Sequence, residues 1–205
     1  TPGYVQRRSM ILLSLDRPAA ALRDADTFLD MQPDNPIGYV RKGRALVALG
    51  RTMSGLTVMA EARGRLPQDD DLDYWYARLL SNDGKEHDAW HVMAHHFEEE
   101  TGDFWDYVLL AFLSVETDRL EAATQAVGHL HRLRPDDPFT QHWDAVTRVY
   151  LADIEGAEEV IRRAVEHGLS DSMLGDFMEH MVGEGYYIRA AALRLNLNKA
   201  ALAAQ

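Results

Sequence analysis

The sequence predicts an all-α solenoid of about six two-helix units. Three observations carry that expectation. Turn signals recur at multiples of 34 residues, a second set of turns divides each interval, and small residues repeat in phase within both halves.

The first set of turns contains Pro33, Pro67 and Pro135, in QPDNP, LPQDD and RPDDP, and the same step lands on Thr101 in ETGDF and Leu169 in GLSDS. Proline has no amide hydrogen and its ring crowds the preceding turn, so it stops the helix before it. The Asp or Asn that follows can accept free amide hydrogens as an N-cap, and Pro36 and Pro138 suit a first helical position. The second set of turns lies near Leu49-Gly50, Asp83-Gly84, Thr117-Asp118 and Ala152-Asp153, which leaves helices of about 13 residues. Helices that short are marginal in water alone and need a buried face.

Small residues show where that face lies. Ser9, Gly43, Ala77, Ala111 and Ala145 recur on the first helices, and Ala21, Gly55, Ala89, Ala123, Ala157 and Ala191 on the second. Between them run two apolar rows: Leu12, Leu46, Leu80 and Val182, and Met59, Met93, Val127, Ile161 and Leu195. The expected organisation is a single solenoid over 1–205, in units of about 2–35, 36–69, 70–103, 104–137, 138–171 and 172–205.

A 34-residue helix-turn-helix unit with small residues at its eighth and twentieth places and proline near its end resembles the tetratricopeptide repeat family. The resemblance covers nearly the whole chain. Lys42 and Asp144 depart from a place usually taken by Leu, Glu179 replaces the small residue of the last unit, and two junctions lack Pro. Met173 to Gln205 therefore reads as an atypical cap.

The resemblance implies a right-handed α–α superhelix whose first helices line a concave groove. It would assign Arg41, Arg44 and Val47, then Tyr74, Trp75, Arg78 and Asn82, to that groove. Trp105, Val108, Leu109 and Phe112 follow, then Phe139, His142, Trp143 and Val146. Aromatics and arginine dominate binding energy at protein interfaces. The implied function is a non-catalytic scaffold or adaptor that binds a peptide or partner helix, with apolar anchors in the middle and charge recognition toward the arginines. The competing reading packs several of these aromatics between repeats. Some relatives clamp a chaperone C-terminus with a fixed Lys and Asn set; this chain, with lysine only at 42, 85 and 199, does not reproduce it.

Asp and Glu outnumber Lys and Arg by 33 to 21, so a nucleic-acid partner is not expected. No window approaches the roughly 18 apolar residues of a spanning helix, so neither is membrane insertion. Cysteine is absent, which removes disulfides and thiolate metal sites. Cytoplasm is the default expectation and periplasm stays open. The chain begins with Thr1, and a removed leader, a trimmed terminus or an excised domain would each account for that start.

His87, His91 and His95 are spaced i, i+4, i+8, so adjacent pairs could share a transition metal. The glutamate of an H-E-x-x-H site is missing, and the repeat register turns the three toward solvent. His96 is expected in the core. Acidic groups such as QDDDLD lie near helix starts, where the helix dipole favours them. No phosphate loop, serine nucleophile elbow or cysteine nucleophile is present, so no catalytic residue and no cofactor is assigned. The last helix carries Tyr187, Ala191, Leu195 and Leu202 near one face and is either a cap folded back on Met173 to Val182 or a surface for homo-oligomer formation. Alternative roles are a docking module of a larger enzyme, a part of a secretion or envelope assembly, and a metal-responsive adaptor.

Overall fold

The computed structural model describes residues 1–67, 69–99 and 101–203, and every regular element among them is a helix. The chain divides into two compact units, Thr1–His95 and His96–Gln205. Unit 1 holds α1 (Pro2–Ser14), α2 (Pro18–Met31), α3 (Pro36–Ala48), α4 (Thr52–Arg65), α5 (Asp70–Ser81) and α6 (Glu86–Met93). A short helix, α7 (His95–Glu99), begins at the division. Unit 2 holds α8 (Phe104–Glu116), α9 (Leu120–Leu133), α10 (Pro138–Tyr150), α11 (Ile154–Glu166), α12 (Asp171–Gly183) and α13 (Tyr187–Ala203). Consecutive helices pair as hairpins, and within a unit the first helices of neighbouring hairpins pack on each other, α1 on α3 on α5 and α8 on α10 on α12.

Each hairpin turn is built the same way. Asp16, Gly50, Gly84, Asp118 and Ala152 all have positive φ, each 34 residues after the last. The left-handed residue lets the amide after it donate to a carbonyl in the last helical turn: Arg17 to Leu12 at 2.8 Å, Arg51 to Leu46 at 2.9 Å, Asp153 to Arg148 at 2.9 Å. Glycine adopts this conformation without a Cβ penalty and Asp tolerates it, whereas Ala152, at φ 60°, does so under strain.

The junctions between hairpins use side-chain caps. Asn35 accepts from the Ile37 amide at 3.1 Å, Asp69 from Leu72 at 3.0 Å and Asp137 from Phe139 at 2.9 Å. Asp103 and Asp106 form a reciprocal capping box. The acidic groups at these helix starts thus satisfy amides that no carbonyl reaches.

Small residues bring paired helices together. Ser9 and Ala21 are fully buried, and the Ser9 hydroxyl donates to the Ala21 carbonyl at 3.2 Å. Gly43 faces Gly55 so closely that a Cβ on Gly55 would stand 2.9 Å from the Gly43 carbonyl oxygen and 3.0 Å from Val47 Cγ2. Ala77, Ala89, Ala111, Ala123, Ala145 and Ala157 are likewise fully buried.

Two expectations need correction. The second helix of the third pair is not continuous: α6 ends at Met93, and at the interruption the His95 Nδ1 lies 3.0 Å from the Val92 carbonyl, where the next helical amide would bond. The last pair is also one residue out of phase. Earlier second helices of unaltered length, α2, α4 and α9, end in a non-helical residue of negative φ before proline, but α11 ends through Gly168, at φ 96°, with the Leu169 amide on the Ala164 carbonyl at 2.9 Å. That tighter exit starts α12 at Asp171 and puts the last left-handed residue at Gly185, a step of 33 from Ala152.

The slip turns the final helices by one position. Ala190, not Ala191, is buried; Met181, not Val182, is in the core; and Tyr187 and Leu195 are exposed while Leu193 is buried. The side chain of Leu202 lies outside the described residues. Met178, rather than Glu179, stands where the earlier pairs carry a small residue, and α13 adjoins α12 less closely than the other hairpin partners adjoin each other.

Two substitutions test this account of the turns and the packing. Ala152→Gly should raise unfolding stability by about 1 kcal/mol in urea titration, because it removes left-handed strain. Gly55→Val should lower it by about 1–3 kcal/mol, since the obstructing atom is backbone and cannot swing aside.

Candidate binding surfaces

In unit 1 the facing helices α3 and α5 bring Arg44 and Arg78 onto one indole, with Arg41 near enough to Arg44 for their charges to interact. The Arg44 guanidinium lies 4.3 Å from the centre of the Trp75 ring and Arg78 lies 5.6 Å from it. Tyr74 meets Trp75 edge-on at 5.4 Å and its hydroxyl accepts from Arg78 at 3.1 Å. Arg41 and Arg44 are half-buried, and the enclosed Arg41 Nε has no hydrogen-bond partner among the described residues. Burial pulls both guanidinium groups below their ordinary pKa, and at Arg44 the neighbouring Arg41 and Arg78 charges add to the effect. No carboxylate among the described residues pairs with the three; Asn82, the C-cap of α5, is exposed.

Unit 2 distributes its candidate residues differently. Trp105 and Phe139, on the first turns of α8 and α10, meet edge-on at 5.1 Å and are about two-fifths and one-third exposed, at 42% and 36%. Leu109 on α8 is buried, and so are His142 and Trp143, because α10 sits between α8 and α12 and both its neighbours cover it. Trp143 meets Phe112 at 5.8 Å and His180 at 6.3 Å. Its position one turn in from the end of the helix makes it part of the packing between first helices.

Beside Trp143 opens a cavity of about 440 Å³, walled by Phe112 and Tyr150 and edged by Glu116, Asp176 and Glu179. The acidic rim escaped the sequence reading because the groove register was not carried into the last hairpin. With the step of 33, Asp176 and Glu179 fall at the places that Trp143 and Val146 hold in the pair before, and Glu116 and Tyr150 both close their helices at the thirteenth place.

Hydrogen bonds tie the rim together. His142 Nε2 lies 3.0 Å from Asp176, and that bond holds the Asp176 carboxyl below its ordinary pKa. His180 lies 3.7 Å from Asp176 through Nε2 and 3.0 Å from the Tyr150 hydroxyl through Nδ1. Burial lowers the His180 pKa from 6.5, against the opposing pull of Asp176, Glu116 and Glu179 and with the push of His142. Where the Tyr150 hydroxyl donates to Nδ1, the neutral ring keeps its hydrogen on Nε2, on the side of Asp176.

The remaining histidines stand apart from both surfaces. His87 and His91 are exposed, His95 is part-buried near Asp73 at 3.7 Å, and the break at Ala94 interrupts their common helical face. Among the described residues no group of three His, Asp or Glu side chains is arranged to hold a metal. His96 is fully buried with Nδ1 3.3 Å from the Thr101 hydroxyl. Among the described residues no helix is long and apolar enough to cross a membrane.

A lowered His180 pKa has a defined pH consequence. As pH falls through 6.5 the unfolded chain takes up the proton first, so His180 removes stability on acidification; Asp176, also lowered, removes more through the carboxylate range. An NMR titration of the His180 ring should give a midpoint below 6.5, and His180→Gln should flatten the loss of melting temperature between pH 7 and pH 5. A midpoint above 6.5 would show that the carboxylates outweigh burial.

No protein-family model matches the chain, and no curated protein matches it by sequence. Solved structures do. A tetratricopeptide repeat protein from Parabacteroides merdae is 12% identical, with a TM-score of 0.74 over 97% of this chain and 79% of its own. PilW, a type IV pilus biogenesis factor, is 13% identical, with a TM-score of 0.73 over 97% and 92%. YrrB, described as a tetratricopeptide repeat protein with an unusual peptide-binding site, is 16% identical, with a TM-score of 0.63 over 82% and 87%. The left-handed turns at intervals of 34, the facing small residues and these likenesses together identify the fold as that of tetratricopeptide repeat proteins.

Proposed function

We propose that the chain is a non-catalytic protein-interaction scaffold, and that the α3–α5 face of unit 1 takes an acidic segment of a partner polypeptide. The observation that carries this reading is the charge around Trp75. Arg41, Arg44 and Arg78 converge without a carboxylate partner among the described residues, in a chain whose net charge is −12. Holding like charges together in a partly desolvated hollow costs free energy that an incoming anion would offset. Guanidinium groups receive carboxylates through paired hydrogen bonds, and the indole and phenol supply contact area beside them.

The partner's class follows from scale. A long polyanion would run past the arginines into the chain's negative surface, whereas a short acidic segment places its charge only where the arginines are. The peptide-binding site described for YrrB supports a peptide ligand for this fold. The exposed Trp105–Phe139 pair supports an apolar anchor in unit 2.

Fluorescence anisotropy with a labelled Glu-rich peptide tests the reading, beside a single-stranded oligonucleotide of equal charge. The peptide should bind with an affinity that falls as salt rises. Arg44→Gln with Arg78→Gln should weaken it about tenfold or more at unchanged helicity, and Trp75→Ala should weaken it as well. Equal binding by the double variant, or a preference for the oligonucleotide, would overturn the assignment.

A further inference from the structure

The cavity of unit 2 has the opposite character to the arginine face. Three carboxylates, Glu116, Asp176 and Glu179, stand around a hollow whose walls are Phe112, Trp143 and Tyr150, and no lysine or arginine lines it. Asp176 is held by His142, but Glu116 and Glu179 are exposed and have no cationic partner among the described residues. Of the two histidines near the rim, His142 bonds Asp176 from inside the core, and burial lowers the His180 pKa from 6.5. Burial and the surrounding Glu116, Glu184 and Asp176 charges also raise the Tyr150 pKa, so its hydroxyl stays un-ionised.

We propose that this cavity binds the cationic end of an arginine or lysine side chain from a partner polypeptide. The volume, about 440 Å³, lies in the range of sites that enclose a side chain or small ligand. Aromatic faces attract a cation through their ring quadrupole, and Trp143 and Phe112 form the wall while the carboxylates form the rim. A metal ion fits less well, since among the described residues no three ligands converge. The inference rests on the reading of the chain as a peptide-binding scaffold and adds a second specificity element to it: a basic residue in a partner polypeptide.

The test uses the intact chain and N-acetyl-arginine amide, with the uncharged isostere N-acetyl-citrulline amide as comparator and N-acetyl-lysine amide to separate guanidinium from ammonium. NMR would follow the Trp143 indole and the His180 ring. Either cationic probe should shift both saturably, with a dissociation constant on the order of 1 mM for so small a ligand, and the citrulline probe should not. Glu116→Gln with Glu179→Gln, both on the exposed rim, should weaken the cation about tenfold with the spectrum otherwise intact. Equal shifts from the citrulline probe, no shift from either cation, or unchanged affinity in the double variant would overturn the site. Because this titration reads unit 2 without any acidic peptide, its failure is distinct from a failure of the arginine face.

Discussion

Where Gly43 meets Gly55, and where the Ser9 hydroxyl reaches the Ala21 carbonyl, two helices approach so closely that only a glycine or a small side chain fits between their backbones. That approach fixes the distance between the partners of a hairpin, and the distance decides which other side chains become core. With the helices so close, Leu46, Met59 and Leu79 close over the pair, and first helices are free to stack on first helices. The residues left uncovered by that stacking are the ones that form surfaces such as the Arg41, Arg44 and Arg78 cluster. Helices of about 13 residues have no stability to spare for a looser arrangement.

The last hairpin shows what happens when this constraint is relaxed. Met178 occupies the place where α10 carries Ala145, and α13 stands off from α12, burying only Ala190 and Leu193 among its described side chains. A terminal pair has no further neighbour to receive it, so close registration there would gain less. The loosened end also exposes Ile188 and Tyr187.

Most of the fold was legible in the sequence because its signals are local. A proline that stops a helix, an Asp that caps the next and an alanine that permits close approach each act within a few residues, and five left-handed turns repeat at the interval those signals predict. The step of 33 was not legible, since GLSDS reads as a turn in either phase. Only the left-handed Gly168 shows that the exit of α11 is tighter than a proline exit. One residue is a rotation of about 100° on a helix, which is enough to exchange Ala191 for Ala190 and Val182 for Met181. Whether His142 and an aromatic such as Trp143 face a groove or pack between repeats stayed open in the sequence for another reason: it depends on the side chains of α8 and α12 that cover α10, and no pattern within α10 contains them.

The two surfaces differ in how firmly the fold holds them. Arg44 and Arg78 rest on Trp75, and Arg41 is enclosed at its Nε, so the cationic face is already ordered before any ligand arrives. Asp176 is fixed by His142 and, at longer range, by the His180 ring that Tyr150 orients, while Glu116 and Glu179 stay exposed. Ordering of this kind lowers the conformational entropy that binding would otherwise have to overcome. It also leaves electrostatic work undone, because like charges remain close together: three guanidinium groups in unit 1 and three carboxylates in unit 2. An anion on the first or a cation on the second would relieve that repulsion, and ligand binding and unit stability would then be linked at each surface.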